Sequence, residues 1–200
     1  MRKRIGLLAM GAILLGAGCG GHSGPGDVHV ADQVSRSAPG REIPPPWAAP
    51  DNTANFIRAA GLPASAFEGS VIRFTAHLDI VINDQPVAIP AYIGIDLSGE
   101  HLSPLHTFDT TGVLHVETDQ PSTFTLGEFF TEWDVRLDGS CLGAACTGLD
   151  GTLQAYVDGR RYAQDPAGIT ITPHEEIALI FGPIIAVRPV PSSYSFPPGS

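Results

Sequence analysis

The chain has 200 residues, 43 % hydrophobic and 16 % charged, which suits one domain with extra segments at its ends and leaves no room for a second full domain. Its 11 Lys and Arg against 21 Asp and Glu give a net charge of −10, and Arg2, Lys3 and Arg4 supply three of those positives. A surface this acidic repels phosphate backbones and anionic headgroups, which excludes nucleic acid as a partner.

Arg2-Lys3-Arg4 heads an uncharged run from Ile5 to Gly18. That run is shorter than the ~20 apolar residues of a spanning helix, so residues 1–18 read as a signal peptide. It ends in Leu14-Leu15-Gly16-Ala17-Gly18-Cys19, which resembles a bacterial lipoprotein signal with Cys19 as the lipidated first residue. The leucine stands one residue further back than usual, and an ordinary secretory signal is the alternative. The expected place is the extracytoplasmic face of the cell membrane, reached through an N-terminal lipid anchor.

Residues 19–50 follow as a tether, with 6 Pro and 5 Gly between Gly20 and Pro50 and no apolar period. The globular domain is expected over residues 51–182. A Pro-rich tail, residues 183–200, closes the chain. Asp51-Asn52 cap a short helix from Thr53 to Ala60, stopped by Gly61. From Ser70 to Ile82, apolar Ile72, Phe74, Ala76, Leu78, Ile80 and Ile82 alternate with polar Arg73, Thr75, His77 and Asp79. The pattern predicts a strand with one core face and one wet face. Asn83-Asp84-Gln85 turns it into a returning strand, Pro86 to Ile89.

Leu105 to Phe108 and Val113 to Thr118 form a hairpin around Asp109-Thr110-Thr111-Gly112, a type I turn composition. Thr125 and Glu128 make a capping box for a helix through Phe129, Phe130 and Trp133. Leu153 to Val157 ends at Asp158-Gly159, a hairpin pair. Ile169 to Thr172 and Ile177 to Phe181 are expected to complete the sheet. The fold class is therefore mainly β (α+β), an antiparallel or mixed sheet with two short helices. The order of elements in the second half resembles a β-grasp, in which a mixed sheet wraps one helix.

Cysteine usage agrees with export. Lipidation of Cys19 leaves Cys141 and Cys146, spaced C-x4-C, to form a disulfide around a short loop. That spacing is neither a thioredoxin-like redox motif nor half a zinc ribbon.

Chemistry is expected on the hairpin. With the turn at Asp109 to Gly112, paired residues sum to 221, so His106 faces His115. Opposed side chains have Cβ atoms about 4.5–5.5 Å apart, within reach of one zinc or copper ion. Glu117 lies on the face of His115, and His77, Asp79 and Asp109 are further candidate ligands. The expected metal set is His77, His106, Asp109, His115 and Glu117, all on wet faces. His22 and His101 read as solvated bystanders, and His174 is expected to begin the final strand and cap a turn. No nucleophile elbow, phosphate loop or H-E-x-x-H points to an enzyme, and no catalytic residue is assigned.

Ala76-His77-Leu78-Asp79, Ile89-Pro90-Ala91-Tyr92-Ile93-Gly94-Ile95, Leu105-His106-Thr107-Phe108-Asp109, Gly112-Val113-Leu114-His115-Val116-Glu117 and Phe124 to Phe130 occur in that order. The series resembles a family of uncharacterised exported or lipid-anchored proteins of actinobacteria and archaea. The resemblance implies an actinobacterial envelope protein and no particular activity. Members carry a histidine-rich strand ending at the position of His77 and L-H-T-H-D at Leu105 to Asp109. Arg73, Thr75 and Phe108 stand in three of those histidine positions here. Two functions follow as expectations: a non-catalytic envelope lipoprotein binding a transition metal or small ligand through His106 and His115, or an envelope protein–protein interaction module with incidental histidines.

Overall fold

The computed structural model describes residues 37–65, 68–98, 101–183 and 189–197. The signal peptide, Cys19, His22 and the first part of the tether lie outside the described residues.

The expected class is what folds: a mainly β domain built on a mixed sheet, with two short α-helices. Helix α1 spans Thr53–Ala59. Asn52 precedes it without making a side-chain cap, and Gly61 (φ +74°) follows it in the left-handed conformation that L-residues avoid. Strand β1, Ile72–Ile82, buries Ala76, Leu78 and Ile80 as its alternation demands. Asn83 and Asp84 both take positive φ (51° and 65°), the signature of a tight hairpin turn. The return strand β2 is only Gln85–Pro86, shorter than expected, and one further backbone hydrogen bond, from the Val87 N–H to the Ile80 carbonyl at 2.8 Å, follows it.

Next come β3 (Leu105–His106), β4 (Val113–Thr118), β5 (Phe124–Thr125) and helix α2 (Leu126–Glu132). The capping box at α2 is complete: the Thr125 hydroxyl accepts from the Glu128 N–H, and the Glu128 carboxylate accepts from the Thr125 N–H. Strands β6 (Cys141–Leu142) and β7 (Ala145–Cys146) pair around the expected Cys141–Cys146 disulfide. The chain ends its sheet with β8 (Thr152–Val157), β9 (Arg160–Tyr162), β10 (Thr170–Ile171) and β11 (Glu176–Gly182).

The main sheet runs β3-β4-β1-β11-β8-β9, with β2 paired to β1. Strands β1 and β11 pair in parallel at its centre, and the other pairs are antiparallel. The β-grasp-like arrangement thus draws its first strand from the first half of the chain. Leu126, Phe129, Phe130 and Trp133 of the α2 region share one core with Ala76, Leu78, Leu114, Val116, Ile177 and Leu179. Burying a side chain of this size contributes about 1.5–3 kcal/mol each. Strand β10 does not join the main sheet; it pairs with β5 in a separate two-stranded ladder.

Three expectations need correction. Part of the tether is core: Ala38 and Arg41 bridge to Leu137 and Val135, and Trp47 is buried edge-on against Trp133 with ring centroids 5.6 Å apart. A single large aromatic outside any periodic pattern carries no sequence signal of its burial. Part of the tail also packs onto the domain, where Tyr194 stacks on His77 and Phe196 lies beside His174. Finally, much of the polar face of β1, β3 and β4 is not wet: Thr75, His77, His106 and Glu117 are buried, while Arg73 stays exposed and His115 and Asp79 half-buried. Alternation reveals which side of a strand is polar, not whether another segment covers it.

Candidate functional site

Register builds the polar face row by row. Pairing of β1 with β4 sets Arg73 opposite Glu117, Thr75 opposite His115 and His77 opposite Val113. Pairing of β3 with β4 sets His106 opposite His115, as the hairpin arithmetic requires. Parallel pairing of β1 with β11 sets His77 opposite Glu176. Asp79 is two residues beyond His77 and shares its face.

His77 is the centre of the first group. Its Nε2 donates to the Thr111 carbonyl at 2.9 Å, and its Nδ1 meets Glu176 Oε2 at 2.8 Å. A carbonyl only accepts, so the proton on Nε2 is fixed and Nδ1 is the atom turned toward the carboxylates. One ligand atom each from His77, Asp79 and Glu176 lies within 4.8 Å of the other two, so modest side-chain rotation brings them to the ~3.4 Å spacing of a tetrahedral zinc with bonds of about 2.0–2.2 Å. This group can hold a metal ion. Tyr194 stacks on the imidazole with centroids 3.9 Å apart and planes 9° from parallel.

Burial opposes a charge on His77, but the Glu176 carboxylate, the Thr111 carbonyl and Asp79 outweigh it and raise the imidazole above its ordinary value. Burial, seconded by Asp79, also raises the Glu176 carboxyl against the pull of His77. Both shifts mean that the pair holds on to a proton. Glu176 Oε1 is buried without a hydrogen-bond partner, so the carboxylate has acceptor capacity left.

The second group lies on the β3–β4 hairpin. His106 and His115 stack with centroids 5.6 Å apart, and the Phe108 ring stands edge-on to both, at 4.7 and 4.6 Å. His106 is fully buried and donates from Nδ1 to the Ser103 carbonyl at 2.9 Å. Its Nε2 is therefore a bare acceptor, buried and unpaired, 3.9 Å from Glu117 Oε2, which is also unpaired. Glu117 Oε1 accepts from Arg73 at 2.6 Å, and Arg73 reaches Glu68 at 3.3 Å. Burial lowers His106 to about 4 and lowers His115 as well. Burial raises Glu117, against the Arg73 guanidinium.

The five expected ligands therefore divide. His106, His115 and Glu117 are neighbours, but they form no three-ligand group among the described residues. Asp109 is exposed and spends one oxygen on the Thr111 N–H and hydroxyl, closing the hairpin turn. His77 belongs to the other group, beyond Thr75. Glu176 is a candidate ligand the sequence did not point to: a β-grasp confined to the second half of the chain does not pair β11 with β1, and the parallel register that sets Glu176 beside His77 is a long-range contact. His174 is not in the last strand; it precedes it with φ 59° and packs on Phe196.

Comparison of the chain with protein-family models, with curated proteins and with solved structures gives no match in any of the three. The fold and the site thus define only a class: a mainly β domain with a buried, metal-compatible histidine–carboxylate group on the covered face of its sheet. No helix among the described residues is long and apolar enough to cross a membrane.

Proposed function

We propose that this protein is a non-catalytic, lipid-anchored envelope module that binds zinc at His77, Asp79 and Glu176. The observation that carries the reading is the His77 hydrogen bond to Thr111, which fixes the tautomer and presents Nδ1 to two carboxylates. Metal-ligating histidines characteristically hold their second nitrogen this way. One imidazole and two carboxylates suit zinc, with copper as the natural competitor. A zinc ion would take the place of the proton that His77 and Glu176 hold between them. The signal sequence with its Cys19 junction and the Cys141–Cys146 disulfide support an extracytoplasmic location.

Dialysed full-length protein, titrated with zinc and with copper against a chromogenic chelator, tests the proposal. Zinc should bind at one equivalent, and His77→Ala and Glu176→Gln should each weaken it at least tenfold. Affinity should fall as pH drops from above 6.5, because protons compete for an imidazole whose proton affinity is raised. His106→Asn should leave zinc affinity unchanged. Equal zinc binding by wild type and His77→Ala would refute the assignment.

A further inference from the structure

His77 is closed in by two kinds of contact. Its ring edge is tied to the sheet and its hairpin: Nδ1 meets Glu176 of β11, and Nε2 donates to the Thr111 carbonyl. The Thr111-Gly112 turn is itself fixed to β1, where the Leu78 N–H donates to the Gly112 carbonyl at 3.0 Å. The ring face is covered differently. Tyr194 lies over it with centroids 3.9 Å apart and planes 9° from parallel, and His77 is 5 % exposed. At that separation the two rings overlap, so the phenol also screens Nδ1, the atom turned to the carboxylates.

The cover is a stretch of extended chain laid on the domain by its side chains. Tyr194 and Phe196 are half-buried, while Ser193, Ser195 and Pro197 between and beyond them are exposed. The Tyr194 and Phe196 rings meet edge-on at 5.0 Å, and Phe196 lies against His174 at the same distance. Upstream, Ser192 passes so close to Gly159 in the β8–β9 turn that a Cβ there would meet the Ser192 Cβ at 2.7 Å. Pro189, Pro191 and Pro197 have no N–H to give to a ladder, and none of residues 189–197 belongs to a strand. A segment held by rings rather than by a ladder can lift while the sheet beneath it stays folded.

We propose that residues 189–197 form a strap that controls access to the His77, Asp79 and Glu176 group, with Tyr194 as its latch. Lifting the phenol uncovers the imidazole, and laying it back seals the group from solvent. The latch is an aromatic face, so phenylalanine serves there as well as tyrosine. For zinc, the consequence rests on the reading above: the strap sets how fast the ion enters and leaves. It touches the imidazole face and supplies no ligand atom, so it changes exchange rates far more than affinity.

Solvent paramagnetic relaxation of the His77 ring protons by a neutral nitroxide, in full-length metal-free protein, tests the strap directly. Tyr194→Ala, and a chain lacking residues 189–200, should each raise the His77 relaxation enhancement at least threefold. Tyr194→Phe should match wild type, and the buried Trp133 ring should stay shielded in every variant. Wild-type shielding of His77 in both opened variants, or a Tyr194→Phe ring as open as Tyr194→Ala, would overturn the proposal. Zinc release to a chelator should be at least tenfold faster from Tyr194→Ala, with affinity kept within about threefold. Release at the wild-type rate from a protein whose His77 is uncovered would overturn the role in exchange. Wild type that takes up no zinc would refute the zinc reading and the exchange role with it, while the shielding result, which needs no metal, still decides the strap.

Discussion

Acid should destabilise this domain through His106, by an amount the structure sets. The imidazole has an ordinary value of 6.5 and is held at about 4 in the folded chain, chiefly by burial. A histidine lowered on folding stabilises the fold at pH above its unfolded value, and that contribution is lost as pH falls toward the folded one. From 6.5 down to about 4, at about 1.36 kcal/mol per pH unit, the loss comes to about 3 kcal/mol. Against a total of about 5–15 kcal/mol for a typical domain this is a large share. His106→Asn isolates it, because the Asn amide keeps a donor for the Ser103 carbonyl and does not titrate. Urea denaturation at pH 7.5, 5.5 and 4.5 gives the comparison. The two tryptophans of the chain, Trp47 and Trp133, are both buried and will report unfolding by fluorescence. Wild type should lose about 2–3 kcal/mol more than the variant over this range. His115 and the buried carboxylates titrate in both proteins, so the difference reports His106 together with its coupling to the adjacent His115. Parallel pH dependences would refute the argument that His106 is folded in its neutral form.

Glu132 offers the opposite sign. It is fully buried in α2 with neither oxygen in a sound hydrogen bond, and burial raises it well above 4.5, with Ser103 as a weak counterweight. Stability should therefore fall as pH rises from 4.5 through the folded value, by up to about 1.4 kcal/mol per pH unit, and Glu132→Gln should flatten that slope in urea titrations between pH 5 and 9. Trp47→Ala should cost about 3–5 kcal/mol in the same assay, since the ring is buried against Trp133; a cost below 1 kcal/mol would mean that residues 37–50 do not belong to the core.

Local physics was legible in the residues, and long-range covering was not. The period of β1, the capping box of α2, the pairing of His106 with His115 and the disulfide each follow from spacing within a short stretch. What escaped the sequence was contact between segments far apart. Tyr194 on His77, Trp47 against Trp133 and Glu176 beside His77 join residues separated by some eighty to one hundred and twenty positions. The same gap explains why the polar face was expected to be wet. Histidines on an alternating strand look exposed until a loop and the C-terminal segment are laid over them.

The parallel pairing of β1 with β11 also sets the order in which chemistry becomes available. His77 and Asp79 come from the first strand of the domain, and Glu176 from the last, 99 residues after His77. Closing so long a loop is entropically costly and slow, so a half-made chain offers one imidazole and one carboxylate but never the trio. Any ion held there can be acquired only once the final strand has docked. Its capture then pulls the folding equilibrium toward the native state in proportion to free metal. Metal occupancy would in that way serve as a receipt for completed folding.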